Sequence, residues 1–173
     1  MKKRSSRVFL ALRYIIPILI TVGWICFIFS NSLQNGEESG NQSHAVTEVI
    51  NGVTESLGIE QPISESFIRT SAHFGEFAVL GLLLSADLLC LGFVFEKNRL
   101  GYRILYFSSL IPICFSVALL DEFIQKFSDG RAAQWEDVGI DTLGGFVSIL
   151  TFAVIFIISC AIAKNIKKNK AQN

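Results

Sequence analysis

Four long apolar runs constrain this chain more than any other feature. They extend from Tyr14 to Ser30, from Phe77 to Phe95, from Tyr102 to Leu120 and from Val138 to Ala163. The hydrocarbon core of a bilayer is about 30 Å thick, and about 20 helical residues cross it without exposing unsatisfied backbone to lipid. A length of 173 residues suits one domain. The sequence therefore predicts an all-α membrane protein, a bundle of four transmembrane helices that forms a single domain over residues 1–173.

The basic residues are concentrated in three regions, although the formal net charge is zero. Twelve of the 15 lie before helix 1, between helices 2 and 3, or after helix 4: Lys2, Lys3, Arg4, Arg7, Arg13, Lys97, Arg99, Arg103, Lys164, Lys167, Lys168 and Lys170. Loops rich in Lys and Arg stay on the cytoplasmic side. We therefore expect a multi-pass protein of the cytoplasmic membrane with both termini, including a basic tail at 164–173, in the cytoplasm.

Cysteine and histidine usage gives no sign of a cofactor. Cys26, Cys90, Cys114 and Cys160 all lie in apolar runs without a Cys-x-x-Cys pair, so we interpret them as core residues. The two histidines, His44 and His73, are far apart in sequence, and His-x-x-Glu on one helix is a weak metal signal. We expect no metal, no cofactor and no nucleic-acid partner; the predicted partner is the lipid bilayer.

The segment between helices 1 and 2, residues 31–66, contains six glutamates and no Lys or Arg. Its first part, Asn31 to Ser43, has the Ser, Asn and Gly content of a loop. Apolar residues then recur at helical spacing: Val46, Val49, Ile50, Val53 and Leu57. This pattern predicts an extracytoplasmic amphipathic helix, and it leaves two placements open, on the outer membrane surface or as a lid on the bundle.

Polar side chains gather at the outer ends of three predicted helices. They are Arg69, His73 and Glu76 on helix 2, which begins before the bilayer with Ser64 as its N-cap; Asp121, Glu122 and Gln125 at the end of helix 3, with Arg131 in the loop beyond; and Asp137 and Asp141 at the start of helix 4. Ionisable groups facing lipid cost several kcal/mol, so they should point inward and pair. The sequence thus predicts one polar cluster on the extracytoplasmic side.

Acids outnumber bases at this end by seven to three. The acids are Glu76, Asp121, Glu122, Asp129, Glu136, Asp137 and Asp141, and the bases are Arg69, Lys126 and Arg131. Crowded carboxylates require a proton, a metal ion or a cationic ligand. The excess disfavours a site for phosphate alone and favours a zwitterionic or peptide-bearing ligand, with the arginines available for a carboxylate. We expect Gln125 and Asp137 to hold Arg131 and the helix ends, and Gly144 and Gly145 to permit close helix packing.

Three segments resemble the VanZ-like family, membrane proteins associated with resistance to the glycopeptide antibiotic teicoplanin. They are Arg69-Thr-Ser-Ala-His73-Phe-Gly-Glu76-Phe, Asp121-Glu122-Phe-Ile-Gln125-Lys-Phe127-Ser-Asp-Gly-Arg131, and Trp135-Glu-Asp137-Val with Asp141-Thr-Leu-Gly144-Gly. The Ser- and Gln-containing stretch after Phe29 is also similar, and the resemblance covers about residues 14–150. It implies a bacterial cell-envelope protein but no particular chemistry.

Two functions follow from the cluster and the resemblance. The one we favour is a binding protein, not an enzyme, which holds a lipid-linked wall precursor or the antibiotic itself and so contributes to glycopeptide resistance. The alternative is a membrane-embedded enzyme acting on a lipid-linked envelope substrate, with His73 as acid or base and Glu76, Asp121 and Glu122 as bases or metal ligands. A transporter is less favoured, since four spans without an internal repeat leave little room for alternating access.

Overall fold

The computed structural model describes residues 2–59, 61–92, 100–131 and 134–172, and this part of the chain is helical without a strand. Lys97 and Arg99, on which part of the predicted orientation rests, lie outside the described residues. The helices are α1 (Lys2–Ser32), α2 (Gly36–Ser56), α3 (Glu65–Leu91), α4 (Leu100–Ser108), α5 (Ile111–Gln125) and α6 (Trp135–Gln172).

Four stretches are long and apolar enough to cross a membrane, as predicted: Leu12–Ser32, Glu65–Leu91, Leu100–Gln125 and Trp135–Lys170. The start of α3 confirms the predicted cap, because the Ser64 side chain accepts a hydrogen bond from the Phe67 backbone N–H. Phe95, the predicted end of this apolar run, lies outside the described residues. The helix stops at Leu91, since Gly92 adopts a left-handed conformation (φ 79°) that terminates the helical backbone.

The third span consists of two helices and not the single predicted one. It is interrupted between Ser108 and Ile111, just before Pro112, which has no backbone N–H and is tolerated in the first turn of a helix. The apolar run ends at Leu120, and α5 continues to Gln125, in agreement with the prediction that Asp121, Glu122 and Gln125 lie at the end of helix 3. The polar residues at 121–125 are therefore part of a helix, and Asp121, Glu122 and Gln125 face the interior of the bundle.

The helix α2 begins earlier than the sequence pattern indicated. The loop predicted up to Ser43 gives way to helix at Gly36, because the Asn35 side chain caps the Glu38 N–H and two acids in the first turn interact favourably with the helix dipole.

Asn51 connects α2 to the chain before α3. Its side chain accepts a hydrogen bond from Ile63 N–H at 2.8 Å and donates one to the Ile63 carbonyl at 3.2 Å. The apolar stripe, including Val49 and Leu57, is exposed and does not cover the bundle core.

Close packing of α3 against α6 forms the centre of the bundle. The side chains of Phe77, Leu80 and Cys114 are fully buried there. Glycines permit the approach, as predicted: a Cβ atom at Gly144 would lie 2.3 Å from the carbonyl oxygen of Phe74. Since Phe74 follows His73 and Gly144 lies one turn after Asp141, this contact also sets the spacing of those two polar side chains.

Asp87, a charged residue inside the second apolar run, has a partner on α1. The Thr21 hydroxyl of α1 donates a 2.6 Å hydrogen bond to Asp87 Oδ2. This contact satisfies a polar group within the apolar region and joins α1 to α3.

Candidate functional site

The polar cluster lies where α1 and α5 end and α3 and α6 begin, here called the site end. Asp121 is at its centre and is 0% exposed. The Ser32 hydroxyl donates to Asp121 Oδ1 at 2.5 Å, and the Gln125 side-chain amide donates to Oδ2 at 3.0 Å. Ser128 in turn donates to the Ser32 carbonyl at 2.8 Å. The last turns of α1 and α5 thus hold the Asp121 carboxylate in one orientation.

His73 and Asp141 approach Asp121 from the other two helices. His73 Nδ1 lies 3.7 Å from Asp141 Oδ1. One donor atom from each of His73, Asp121 and Asp141 lies within 4.8 Å of the other two. These three residues, here the central cluster, come from α3, α5 and α6 and are brought together by tertiary packing alone.

Glu76 is anchored to α1 and is not part of the central cluster. The Asn31 side-chain amide donates to Glu76 Oε1 at 2.9 Å. The Trp24 indole N–H donates to the Glu76 backbone carbonyl, also at 2.9 Å. Both contacts fix the register of α1 against α3, and they give Glu76 an evident structural role.

Arg131 contacts α1 and α2. Its guanidinium donates to the backbone carbonyls of Asn31 and Ser32 at 3.3 Å each and to the Ser39 hydroxyl at 3.0 Å. Among the described residues no carboxylate forms an ion pair with it, and Gln125 binds Asp121, so the prediction that Gln125 and Asp137 hold Arg131 was wrong. Burial lowers the pKa of the Arg131 guanidinium from its ordinary value, and the charge of Arg69 lowers it further.

A cavity of about 650 Å³ opens between α5 and the start of α6. One Glu122 carboxylate oxygen accepts a hydrogen bond from the backbone N–H of Gln134 at its wall. The lining combines apolar with charged and polar side chains: Leu119, Phe123, Trp135 and Val138 with Glu122, Lys126, Arg131 and Gln134. Trp135 is 82% exposed. We call this the amphipathic cavity.

A second, polar cavity of about 440 Å³ lies on the other side of Gln134. Its lining includes three predicted site residues, Arg69, His73 and Asp137, together with Glu65, Ser66, Thr70 and Gln134. His73 retains 15% side-chain exposure, whereas Asp141 behind it retains 1%. The polar cavity therefore leads from the surface to the central cluster.

The structure brings all nine predicted site residues to one end of the bundle, in distinct surroundings. His73, Asp121 and Asp141 form the central cluster, and Gln125 supports it. Glu76 contacts α1, Glu122 and Arg131 line the amphipathic cavity, and Arg69 and Asp137 line the polar one. The sequence did not identify Asn31, Ser32, Ser39 or Gln134 as site residues; the signal for the first three was the polar stretch after Phe29, which resembles the VanZ-like family.

Four membrane-length apolar helices around a buried polar cluster define a multi-pass membrane protein. The family model VanZ/LLP1 matches residues 17–158, more than half of the chain, and the chain belongs to this family. No curated protein and no solved structure matches the chain.

Proposed function

We propose that this protein acts at the outer face of the bacterial cytoplasmic membrane, where its site end binds an amphipathic cell-envelope molecule. The proposed result of this binding is resistance to glycopeptide antibiotics of the teicoplanin type. The ligand is a lipid-linked wall precursor or the antibiotic itself. The described fold supports the role of a binding protein, since both cavities are open to a ligand from outside the bundle.

The observation that supports this proposal best is the composition of the amphipathic cavity. Phe123, Trp135 and Val138 offer apolar surface where α5 and α6 leave the membrane-length region, while Lys126 and Arg131 supply positive charge at the same cavity. A pocket of this kind suits a molecule with a hydrocarbon part and an anionic head. Glu122 adds a carboxylate, which suits a ligand that also carries an amino group.

Arg131 is well placed for an anionic group because its charge is not neutralised by an ion pair within the described chain. Its Nε–H is buried and makes no hydrogen bond there. Contacts to Asn31, Ser32 and Ser39 position the guanidinium without cancelling its charge. A ligand carboxylate or phosphate gains a charge-assisted hydrogen bond from such a group.

The resistance role is tested by expressing the protein in a susceptible host and measuring growth over graded teicoplanin concentrations. We expect Arg131→Gln and Asp121→Asn each to lower the tolerated concentration to that of a host without the protein. The amount of membrane-inserted protein is measured in parallel. If both variants accumulate normally and leave susceptibility unchanged, the proposed site has no part in resistance.

Direct binding is measured on purified protein through the fluorescence of Trp135, which lines the amphipathic cavity. Addition of teicoplanin or of a lipid-linked wall precursor should shift the emission, and Trp135→Phe should abolish the shift although Trp24 remains. Phe123→Ala should weaken binding. Phe115→Ala on the same helix is the matched control, because Phe115 is also exposed but lies outside both cavities. Equal weakening by both changes would contradict binding in this cavity.

A membrane-embedded enzyme is the second candidate, favoured by one observation. His73 lies beside Asp141 and opens into the polar cavity, an arrangement that suits proton transfer to or from a bound substrate. Glu76 and Glu122, considered as bases from the sequence, are engaged by Asn31 and by Gln134. Membrane lipids incubated with wild-type protein and with His73→Gln would show a product only with wild type; an identical lipid profile contradicts this candidate.

A further inference from the structure

Asp141 is a buried carboxylate without a hydrogen-bond partner. It is 1% exposed, and neither Oδ1 nor Oδ2 accepts a hydrogen bond from any residue that the structure describes. A buried polar group usually has a partner, and an isolated buried charge costs far more than a neutral group. The surroundings of Asp141 therefore favour a bound cation or a proton at its carboxyl group.

The neighbours of Asp141 are metal-ligating groups. His73 Nδ1, 3.7 Å from Asp141 Oδ1, is also buried and makes no hydrogen bond. Asp121 supplies a second carboxylate, and one donor atom of each residue lies within 4.8 Å of the others. We propose that His73, Asp121 and Asp141 bind a divalent transition-metal ion. None of these three residues lines the amphipathic cavity, and metal binding to them is measured apart from the proposed resistance function.

The donor set indicates which ions fit. Two carboxylates match the charge of a divalent cation, and a neutral imidazole nitrogen favours Zn²⁺ or Mn²⁺ over Mg²⁺ and Ca²⁺, which prefer oxygen ligands. Metal–ligand bonds of about 2.1 Å in tetrahedral geometry place donor atoms about 3.4 Å apart. The present donor atoms, all within 4.8 Å of one another, must therefore draw together by at most about 1.4 Å. Three protein ligands leave coordination positions for water or for a ligand from the polar cavity.

Neighbouring side chains hold the proposed ligands in place, and a cavity gives a metal ion access to them. The Ser32 hydroxyl and the Gln125 amide hold the two oxygens of Asp121, as outer contacts commonly orient ligating carboxylates. Each carboxylate oxygen has a further lone pair for a metal ion. The polar cavity, with His73 and Asp137 in its wall, provides a path for a hydrated cation. The sequence alone did not indicate this metal site, because no second histidine lies near His73 along the chain.

The experiment is metal binding to purified full-length protein after treatment with a chelator. We expect one equivalent of Zn²⁺ or Mn²⁺ per chain, measured by equilibrium dialysis and elemental analysis. Bound Mn²⁺ should lose the electron paramagnetic resonance signal of the free ion. Metal should also raise the thermal midpoint, because a ligand bound only by the folded state stabilises it.

Asp141→Asn and His73→Gln should lower metal affinity more than about 100-fold, beyond the usual effect of an outer contact. His44→Gln is the matched control, because His44 forms an exposed pair with Glu48 at 3.8 Å, away from the central cluster. Without metal, Asp141→Asn should melt no lower than wild type, since it removes an unpaired buried charge. Ligand binding in the amphipathic cavity is measured separately, by the Trp135 emission of the metal-free protein. Failure of the metal proposal can then be distinguished from failure of the proposed function.

Wild-type protein that takes up no more Zn²⁺ or Mn²⁺ than Asp141→Asn overturns the proposal and points to a proton between His73 and Asp141. Preferential uptake of Mg²⁺ overturns the assignment to a transition metal. If His44→Gln loses as much metal affinity as Asp141→Asn, the proposed site is also contradicted, because the bound metal would then lie at the exposed pair on α2.

Discussion

Asp121 shows how a single residue at the site end depends on others distant in sequence. Its carboxylate is fully buried and is held by Ser32 from α1 and by Gln125 one turn along α5. Hydrogen bonds to a charged group stabilise more than those between neutral groups, and their loss leaves a buried oxygen without a partner. Ser32 therefore has a larger energetic role than its small size indicates.

At this scale we predict that Ser32→Ala lowers the free energy of unfolding by about 1–3 kcal/mol, because the buried Asp121 oxygen loses its donor. Unfolding of purified protein by a denaturing detergent gives the difference. Ser30→Ala is the control: Ser30 is exposed, and its hydroxyl donates to the Phe27 carbonyl on its own helix. Its effect should stay within about 0.5 kcal/mol. Equal effects of the two substitutions would show that the contact between Ser32 and Asp121 adds nothing to the free energy of unfolding.

Among the helices, the contact between α3 and α6 determines the spacing of the central cluster. Gly81, Gly144 and Gly145 all lie where a side chain would meet the opposing helix or a core residue. Small residues permit such close approach between membrane helices, which associate largely by packing. His73 and Asp141 lie next to this contact, so their separation depends on helix packing as well as on their own rotamers.

The Gly144→Ala substitution should destabilise the protein by about 1–3 kcal/mol, the range typical of overpacking. The added Cβ would lie 2.3 Å from the Phe74 carbonyl oxygen, so α3 and α6 must separate. Gly139→Ala on the same helix has nothing within 4 Å and should be neutral or stabilising by up to about 1 kcal/mol. Detergent unfolding of both variants measures the difference. A neutral Gly144→Ala would contradict the close α3–α6 contact.

For the whole molecule, the orientation in the membrane decides whether the site is accessible from outside the cell. The distribution of basic residues supports cytoplasmic termini and an extracytoplasmic site end. The exposed apolar stripe of α2 suits a helix on the outer membrane surface, where Val49 and Leu57 enter the lipid boundary. Both expectations depend on one topology and can be tested together.

We predict that Glu55→Cys, on the exposed polar face of α2, reacts in intact cells with a thiol reagent that does not cross membranes, whereas Lys168→Cys reacts only after the cells are permeabilised. Labelling is measured by the mass increase of the purified protein. The parent protein is the control, because its four cysteines lie in the apolar spans. Reversed labelling would place the site end in the cytoplasm and would contradict the proposed function.

The sequence alone determined the class of protein, the number of spans and the set of polar residues at one end. These follow from local properties: apolar length, basic flanks, and the positions of polar side chains relative to helix ends. It predicted the start of α3 because Ser64 is a local cap. It missed the break before Pro112 and the helix from Gly36, where individual residues override the average pattern.

Only the tertiary structure decided which polar residues act together. Glu76 and His73 are one turn apart on α3, yet Glu76 is bound by Asn31 while His73 meets Asp141 from α6. Arg131 contacts backbone carbonyls of α1 and not the carboxylates near it in sequence. Helical periodicity places a side chain on a face, but its partner depends on helix rotation and separation, which close contacts such as Gly144 against Phe74 determine.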